Sequence, residues 1–333
     1  MTIHGLSALE ARERVGDLGQ VVRIDRLISD DGPSRGARML RLVSGGALEV
    51  ETHPDRALDI GRVTYRGVAM AWVSPTGFAQ PGLAEPAADG WVRTWGGGLL
   101  STVGLDSFGM AGHDGEEEFG THGRIGTQPA TILQSVAGAY DLVVEGEVRR
   151  ATAFGDTLRL VRRITVPIGG STIVVEDTVH NDGPDSVGWM VLYHVNLGWS
   201  LLDADSEVSI GTDADGSFTM GEAVPDHVQR QRQFALESET ETVTVQNHRL
   251  GMEFALRYSA DSLPWLNTWR LNQRRRYVLA LEPTNTSSLE GRVGARASGN
   301  LPFLASGSSA SMRLELDFAD VSSGAPFNPP HPL

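Results

Sequence analysis

The stretch GWMVLYHVNLGW, residues 188–199, decides how the chain is read. It is an apolar run of strand length with a histidine and an asparagine set two positions apart. If 189–197 is a strand, alternate side chains point to opposite faces. Trp189, Val191, Tyr193, Val195 and Leu197 then share one face, and Met190, Leu192, His194 and Asn196 the other. Both faces begin apolar, which predicts a central strand whose polar pair arrives at its end, where a cleft can open. Two readings of His194 are open: a core imidazole tied to neighbouring strands by hydrogen bonds, or a functional group at that cleft.

The same grammar extends outward. Short runs rich in Val, Ile, Leu and Thr recur, among them ALEVETH, YDLVVEGEVRRATAF, DTLRLVRRITVPI, STIVVEDTVHN, GMEFALRY and SMRLELDF. Gly, Asp, Asn or Pro breaks them. Several alternate cleanly, as Met312, Leu314 and Leu316 do against Arg313, Glu315 and Asp317, the pattern of antiparallel strands with one wet face. More than ten such strands, punctuated by 39 glycines and 16 prolines, predict an all-β fold, a large antiparallel sandwich of two sheets. No linker or fixed-period repeat divides the chain, so residues 1–333 are expected to form one domain. A helical segment over 7–18 precedes the sheets, a turn is expected near 225–231, and a Pro-rich tail over 322–333 is expected to be extended.

Composition narrows the partners. The 42 acidic against 28 basic residues give a formal charge of −14, which provides no electrostatic footprint for nucleic acid or an anionic membrane surface. The absence of cysteine excludes disulfides, thiol nucleophiles and thiolate metal sites. There is no basic-then-apolar leader and no run of eighteen apolar residues, so a soluble, cytoplasmic protein is expected. The expected partner is a small neutral or weakly charged molecule, and a homodimer is left open.

Four further segments could carry chemistry. RYVLALEPTN (276–285) ends an apolar run in Glu282, in alternation with Val278 and Ala280, on a face that could point inward. A carboxylate at the mouth of an apolar sheet tends toward a raised pKa, which suits a general base, whereas in solvent it is only a strand end. EEEFGTHGRIGTQPA (116–130) holds His122 in a glycine-flanked turn that lets backbone approach a ligand, or is simply a polar loop. WVRTWGGGLLSTVGLDSFG (91–109) sets Arg93 between Trp91 and Trp95, a sugar-binding edge or an arginine stacked on indole. In HPDRALDIGRV (53–63), Arg56 and Asp59 either pair structurally or line a site. HDGEEEFGTHG, with the acidic cluster 116–118, lacks the ligand spacing of a cupin-type metal site, and GGG lacks the lysine and strand–turn–helix setting of a phosphate loop. No metal or cofactor is expected. QRRRY (273–277) reads as a solvated edge that discourages sheet pairing.

PDRALDIGRVTYRG (54–67), RTWGGGLLSTVGLD (93–106), EEEFGTHGRIG (116–126) and YVLALEP (277–283), in this order, resemble the galactose mutarotase-like (aldose 1-epimerase) superfamily. The closer resemblance is to its DUF4432 branch, and it runs from about Val21 to about Phe318. The resemblance implies a β-supersandwich and a mutarotase activity. It places Glu282 as the base, His194 as the acid and His122 on the sugar. Arg93 before the glycines resembles the Arg-Gly-Gly segment of the hexose-6-phosphate epimerase branch. Asn196, Arg56 and Trp269, in PWLNTWR, join these as substrate-binding candidates, Trp269 either stacking on the sugar ring or packing at a sheet edge. The chain departs from the mutarotase pattern in having Tyr193 and Val195 where threonine or asparagine flanks the catalytic histidine. Its spacing to Asn-Leu is shorter. Asp213, Asp215 and Asp226 all stand for the acidic residue that holds sugar hydroxyls.

The implied chemistry is anomer interconversion of a free sugar or sugar derivative. An ionised carboxylate removes the anomeric proton while a protonated imidazole delivers one to the ring oxygen. Glu282 and His194 are expected on opposite sides of a pyranose-sized hollow. The alternatives are a carbohydrate-binding protein without turnover, and a sugar lyase or metal-dependent isomerase.

Overall fold

Alternation sets the sheets. The strand Thr157–Pro167 buries every second side chain from Leu158 to Val166, and Ser309–Asp320 does so from Met312 to Phe318. The computed structural model describes residues 2–83, 88–211, 216–226, 229–236, 240–287 and 289–321. Among these, two large sheets form, and every strand pairing within them is antiparallel. The first runs Val22–Ile28, Arg38–Ser44, Leu48–His53, Asp59–Tyr65, Leu100–Leu105, Met190–Gly198, Arg276–Thr284, Trp265–Gln273 and Arg230–Ala235. The second has Thr172–Asn181, Thr157–Pro167 and Asp141–Ala151 on one side of Ser309–Asp320, and Met252–Ser259 and Thr240–Asn247 on the other.

The sheets pack face to face around one cluster. Leu42, Val50, Ile60, Val191, Tyr193 and Val195 of the first meet Leu160, Ile164, Val175, Leu314 and Leu316 of the second. Each large aliphatic side chain buried there contributes roughly 1.5–3 kcal/mol relative to exposure. The strand Met190–Gly198 is central, as its sequence predicts: Trp189, Val191, Tyr193, Val195 and Leu197 all enter this core. Met190 and Leu192 point the other way, into a second cluster with Val103, Phe108, Ala295 and Leu301. A layer of loops and the helix Gly291–Ala297 thus covers the outer face of the first sheet. Glu282 lies on that outer face. Leu279 and Leu281 join the inter-sheet core while Val278, Ala280 and Glu282 are buried on the opposite side, so the burial expected for this alternation comes from the loop layer.

One polar group crosses the core. Arg162 is wholly buried, and its guanidinium donates to both oxygens of Asp177, at 2.9 and 2.6 Å, and reaches Asp59 at 3.4 Å. Tyr193 donates its hydroxyl to Asp177 at 2.7 Å. The two sheets are therefore joined by hydrogen bonds beneath the residue that precedes His194.

Three local expectations are revised. The helix expected over 7–18 spans only Ala8–Arg12, held by a Ser7–Glu10 capping box, and Asp17 caps a separate turn, Leu18–Gln20. Arg274 and Arg275 form the hairpin between Trp265–Gln273 and Arg276–Thr284, so QRRRY is no sheet edge; the edges are Val22–Ile28 and Arg230–Ala235. Of the turn expected near 225–231, Pro225 and Asp226 form a bend and Arg230 is already in an edge strand, while residues 227 and 228 lie outside the described residues. The tail 322–333, Asp213 and Asp215 lie outside the described residues. Among the described residues no helix is long and apolar enough to cross a membrane.

Candidate functional site

Register brings the site together. Val195 pairs with Leu281 and Leu192 with Thr284, which sets His194 directly opposite Glu282. His194 also pairs with Ser101 on its other side, Glu282 with Asn267, and Asn267 with Gln233. A polar row, Ser101–His194–Glu282–Asn267–Gln233, therefore crosses five strands of one face. Opposed side chains in an antiparallel pair are neighbours. His194 Nε2 lies 3.3 Å from Glu282 Oε1.

Aromatic rings close over the pair. Trp95 sits 4.8 Å from the His194 ring and stacks on Trp91 at 4.5 Å, while Trp269 stands 6.3 Å from His194. The Trp95 indole is fixed by donating to Ser101 Oγ at 3.1 Å, and that of Trp269 by donating to Gln229 at 3.1 Å. His122 lies under Trp91 at 4.4 Å and 5.9 Å from His194. Its Nδ1 accepts from the Gly109 amide at 3.3 Å, which leaves the proton on Nε2. The His122 backbone is left-handed, φ 61°, which costs a non-glycine residue about 1 kcal/mol. Gly123 follows at φ 70°, where a Cβ would stand 2.4 Å from Asp106 and from the Ser107 carbonyl.

Burial sets the charges. His194 is 4% and Glu282 5% exposed. With no donor to stabilise its anion, Glu282 is pushed up to about 8 by burial. His194 is pushed down to about 3 by burial, with His122 adding to the effect, and burial takes His122 down to about 4. At neutral pH the pair is thus a carboxylic acid beside a neutral imidazole. The ionised carboxylate and protonated imidazole expected from the sequence hold the same number of protons, but taking both charges out of water costs more than their contact with each other returns.

The remaining candidates take different places. Asn196 and Trp269 share the neighbouring row of the same face, both aligned with Ala280. The Asn196 amide donates to the carbonyls of Gly98 and His194, each at 2.9 Å, and so ties the loop layer to the strand. Arg56 is not brought to the pair. It donates to the Ala79 carbonyl and, with His53, Asp59, Trp91 and Trp95, lines a hollow of about 20 Å³, room for one water. Arg93 ends the turn Gly90–Arg93, exposed, while Trp91 and Trp95 on either side turn inward. Asp226 is exposed. In the acidic cluster, Glu117 pairs with Arg124 and Arg150, which also hold buried Asp106. Among the described residues no three His, Asp or Glu side chains converge as metal ligands.

Two features depart from the expected geometry. Glu282 and His194 touch instead of flanking a hollow, because the register opposes them on adjacent strands. Asn267, beside Glu282 in the row, was not singled out by sequence. It is buried, its Oδ1 accepts from Gln233 at 2.8 Å, and its Nδ2 has no partner, a donor available on the site face. Only the strand register reveals it.

Solved structures share the architecture. A provisionally named aldose 1-epimerase from Klebsiella pneumoniae aligns over 90% of this chain and 84% of its own, with TM-score 0.80 and 19% identity. A galactose mutarotase-like protein from Clostridium acetobutylicum aligns over 90% and 99%, with TM-score 0.66 and 14% identity. Galactose 1-epimerase from Lactobacillus acidophilus aligns over 90% and 99%, with TM-score 0.57 and 12% identity. At these identities the likeness is one of fold, the galactose mutarotase-like sandwich. No protein of curated function matches the chain. Residues 34–318 match the family model described as Domain of unknown function (DUF4432), and the chain belongs to that family.

Proposed function

We propose that the protein is an aldose 1-epimerase-like isomerase that interconverts the anomers of a free sugar or sugar derivative. The observation that carries this reading is the buried contact of His194 Nε2 with Glu282 Oε1 at 3.3 Å beneath a cap of indole rings. The anomeric and ring oxygens of a hemiacetal are bonded to the same carbon and lie closer together than a hydrogen-bond length. An acid and a base in contact can therefore address both from one side of the sugar. Trp95, Trp269 and Trp91 offer apolar platforms for the ring, and His122 Nε2–H and Asn267 Nδ2 offer donors for hydroxyls.

The pair carries one mobile proton. With that proton on Glu282, His194 takes the anomeric proton as Glu282 protonates the ring oxygen, the C1–O5 bond breaks, and the open chain turns about C1–C2. Closure reverses both transfers, Glu282 then acting as base and His194 as acid. The assignment implied by the resemblance, with Glu282 as base from the start, needs one prior proton transfer across the 3.3 Å contact. Net charge is unchanged either way.

Anomer-exchange NMR over a panel of aldoses tests the reading. Exchange faster than buffer in the wild type, reduced ~10²–10⁴-fold in Glu282→Gln and in His194→Asn, supports it. Saturable sugar binding with exchange no faster than buffer would leave a carbohydrate-binding protein on the same fold.

A further inference from the structure

A basic groove lies behind the strand that carries Trp269. Arg230–Ala235 is one of the two edge strands of the first sheet, and its register sets Arg230 opposite Arg270 and Arg232 opposite Thr268. Trp269 and Gln231 alternate with these residues and take the site face, so the three arginines project toward the opposite side. There, Arg230, Arg232, Arg270, Thr268 and Phe218 line a groove of about 450 Å³, with no carboxylate among the described residues of its lining. Arg270 is held in place: its guanidinium lies 4.6 Å over the Phe218 ring, and Nη1 reaches the Thr219 carbonyl at 3.5 Å. Among the described residues, no Asp or Glu forms an ion pair with Arg230 or Arg270.

This cluster is out of keeping with the rest of the molecule. The chain carries a formal charge of −14, with 42 acidic residues to compensate 28 basic ones. Many of its other arginines sit on a carboxylate, as Arg38, Arg41, Arg159 and Arg313 do. Burial, and then the like charges of Arg230 and Arg232, push Arg270 below its ordinary value, so an anion placed beside Arg270 would relieve a repulsion already present. Protection of a sheet edge would explain Arg230 and Arg232. It does not explain Arg270, which stands on an interior strand paired on both sides.

We infer that this groove binds a small molecule through a dianionic phosphate group, free or esterified. Guanidinium presents a planar fork of donors that matches phosphate oxygens, and the Thr268 hydroxyl adds a further donor. The volume admits a metabolite-sized ester as well as the bare ion. The site is separate from the Glu282–His194 pair and does not depend on the function proposed for it.

Calorimetric titration of the full chain with glucose 6-phosphate, inorganic phosphate and glucose, at low and at moderate salt, tests the inference. Saturable binding of one or both phosphates is expected, weakened by salt and weakened about tenfold to a hundredfold by Arg230→Gln and by Arg270→Gln. Glu282→Gln is expected to leave it unchanged. Tighter binding of the ester would identify a phosphorylated metabolite as the ligand, and equal binding the free anion. The exposed position of Arg230 keeps the test valid if Arg270→Gln folds poorly. Failure of both phosphates to saturate, binding unaltered in both arginine variants, or loss of binding in Glu282→Gln would overturn the assignment.

Discussion

Tyr193 and His194 are consecutive residues that face opposite sides of one sheet. The tyrosine hydroxyl donates to Asp177 between the sheets, and the imidazole meets Glu282 on the outer face. The position of His194 is therefore anchored from behind by the Arg162–Asp177 ion pair. Removing one member of a buried pair leaves an uncompensated charge and typically costs about 3–5 kcal/mol. Arg162→Met is expected to lower unfolding stability in urea by that amount, and adding Asp177→Asn to recover part of it. A loss below 1 kcal/mol in Arg162→Met would remove the anchor from the account.

The Glu282–His194 contact predicts strong coupling. If the two share one proton, losing the second member costs little once the first is gone. The double variant Glu282→Gln/His194→Asn is expected to exchange anomers within about tenfold of either single variant. Multiplicative losses in NMR exchange rates would show two independent contributions.

Stability should carry the signature of Glu282 burial. Its folded pKa, raised to about 8, exceeds the ordinary 4.5, so folding takes up a proton between these values. The associated stability is complete below about 4.5 and is lost as pH rises toward 8. Glu282→Gln has no such term, and His194, common to both proteins, cancels to first order. The variant is expected to gain on the wild type progressively over that window, by on the order of a few kcal/mol at its upper end. Melting curves at several pH values check this, and a difference constant with pH would contradict the burial argument.

Gly104 offers a backbone test. It pairs with Val191 at φ 114°, its amide donates to the His122 carbonyl, and a Cβ there would stand 2.0 Å from the Met190 carbonyl oxygen. Gly104→Ala is expected to cost about 3 kcal/mol or more, since neither the conformation nor the space accepts alanine. Gly67, at φ 78° with open space around it, should cost only about 1 kcal/mol as Gly67→Ala. Similar losses for the two in chemical denaturation would mean that the strand junction is softer than its contacts indicate.

How far the sequence could be read follows from what alternation encodes. Both faces of 189–197 were visible because the apolar residues occupy both alternations. Glu282 was visible because it ends an apolar run. Distance across strands was not visible: that His194 opposes Glu282 depends on a register fixed by the whole sheet. The same register hides Asn267, whose segment PWLNTWR reads as an aromatic strand. Arg162 looks like an ordinary member of LRLVRR, and its burial follows only from Asp177 and Tyr193, each remote or on another strand. Arg93 and Arg56 have the chemistry of sugar ligands, but a turn carries one outward and the Ala79 carbonyl holds the other.

The indole cap has a kinetic corollary. Small buffer acids and bases, which accelerate hemiacetal opening in open solution, have little access to the Glu282 carboxyl, which is 5% exposed and touches the imidazole that Trp95 and Trp269 pack against. Under the proposed isomerase function, a proton leaving the sugar would be recycled by the same two residues, so turnover would be indifferent to phosphate or imidazole concentration, while admission of the substrate past the rings would become the step most open to control.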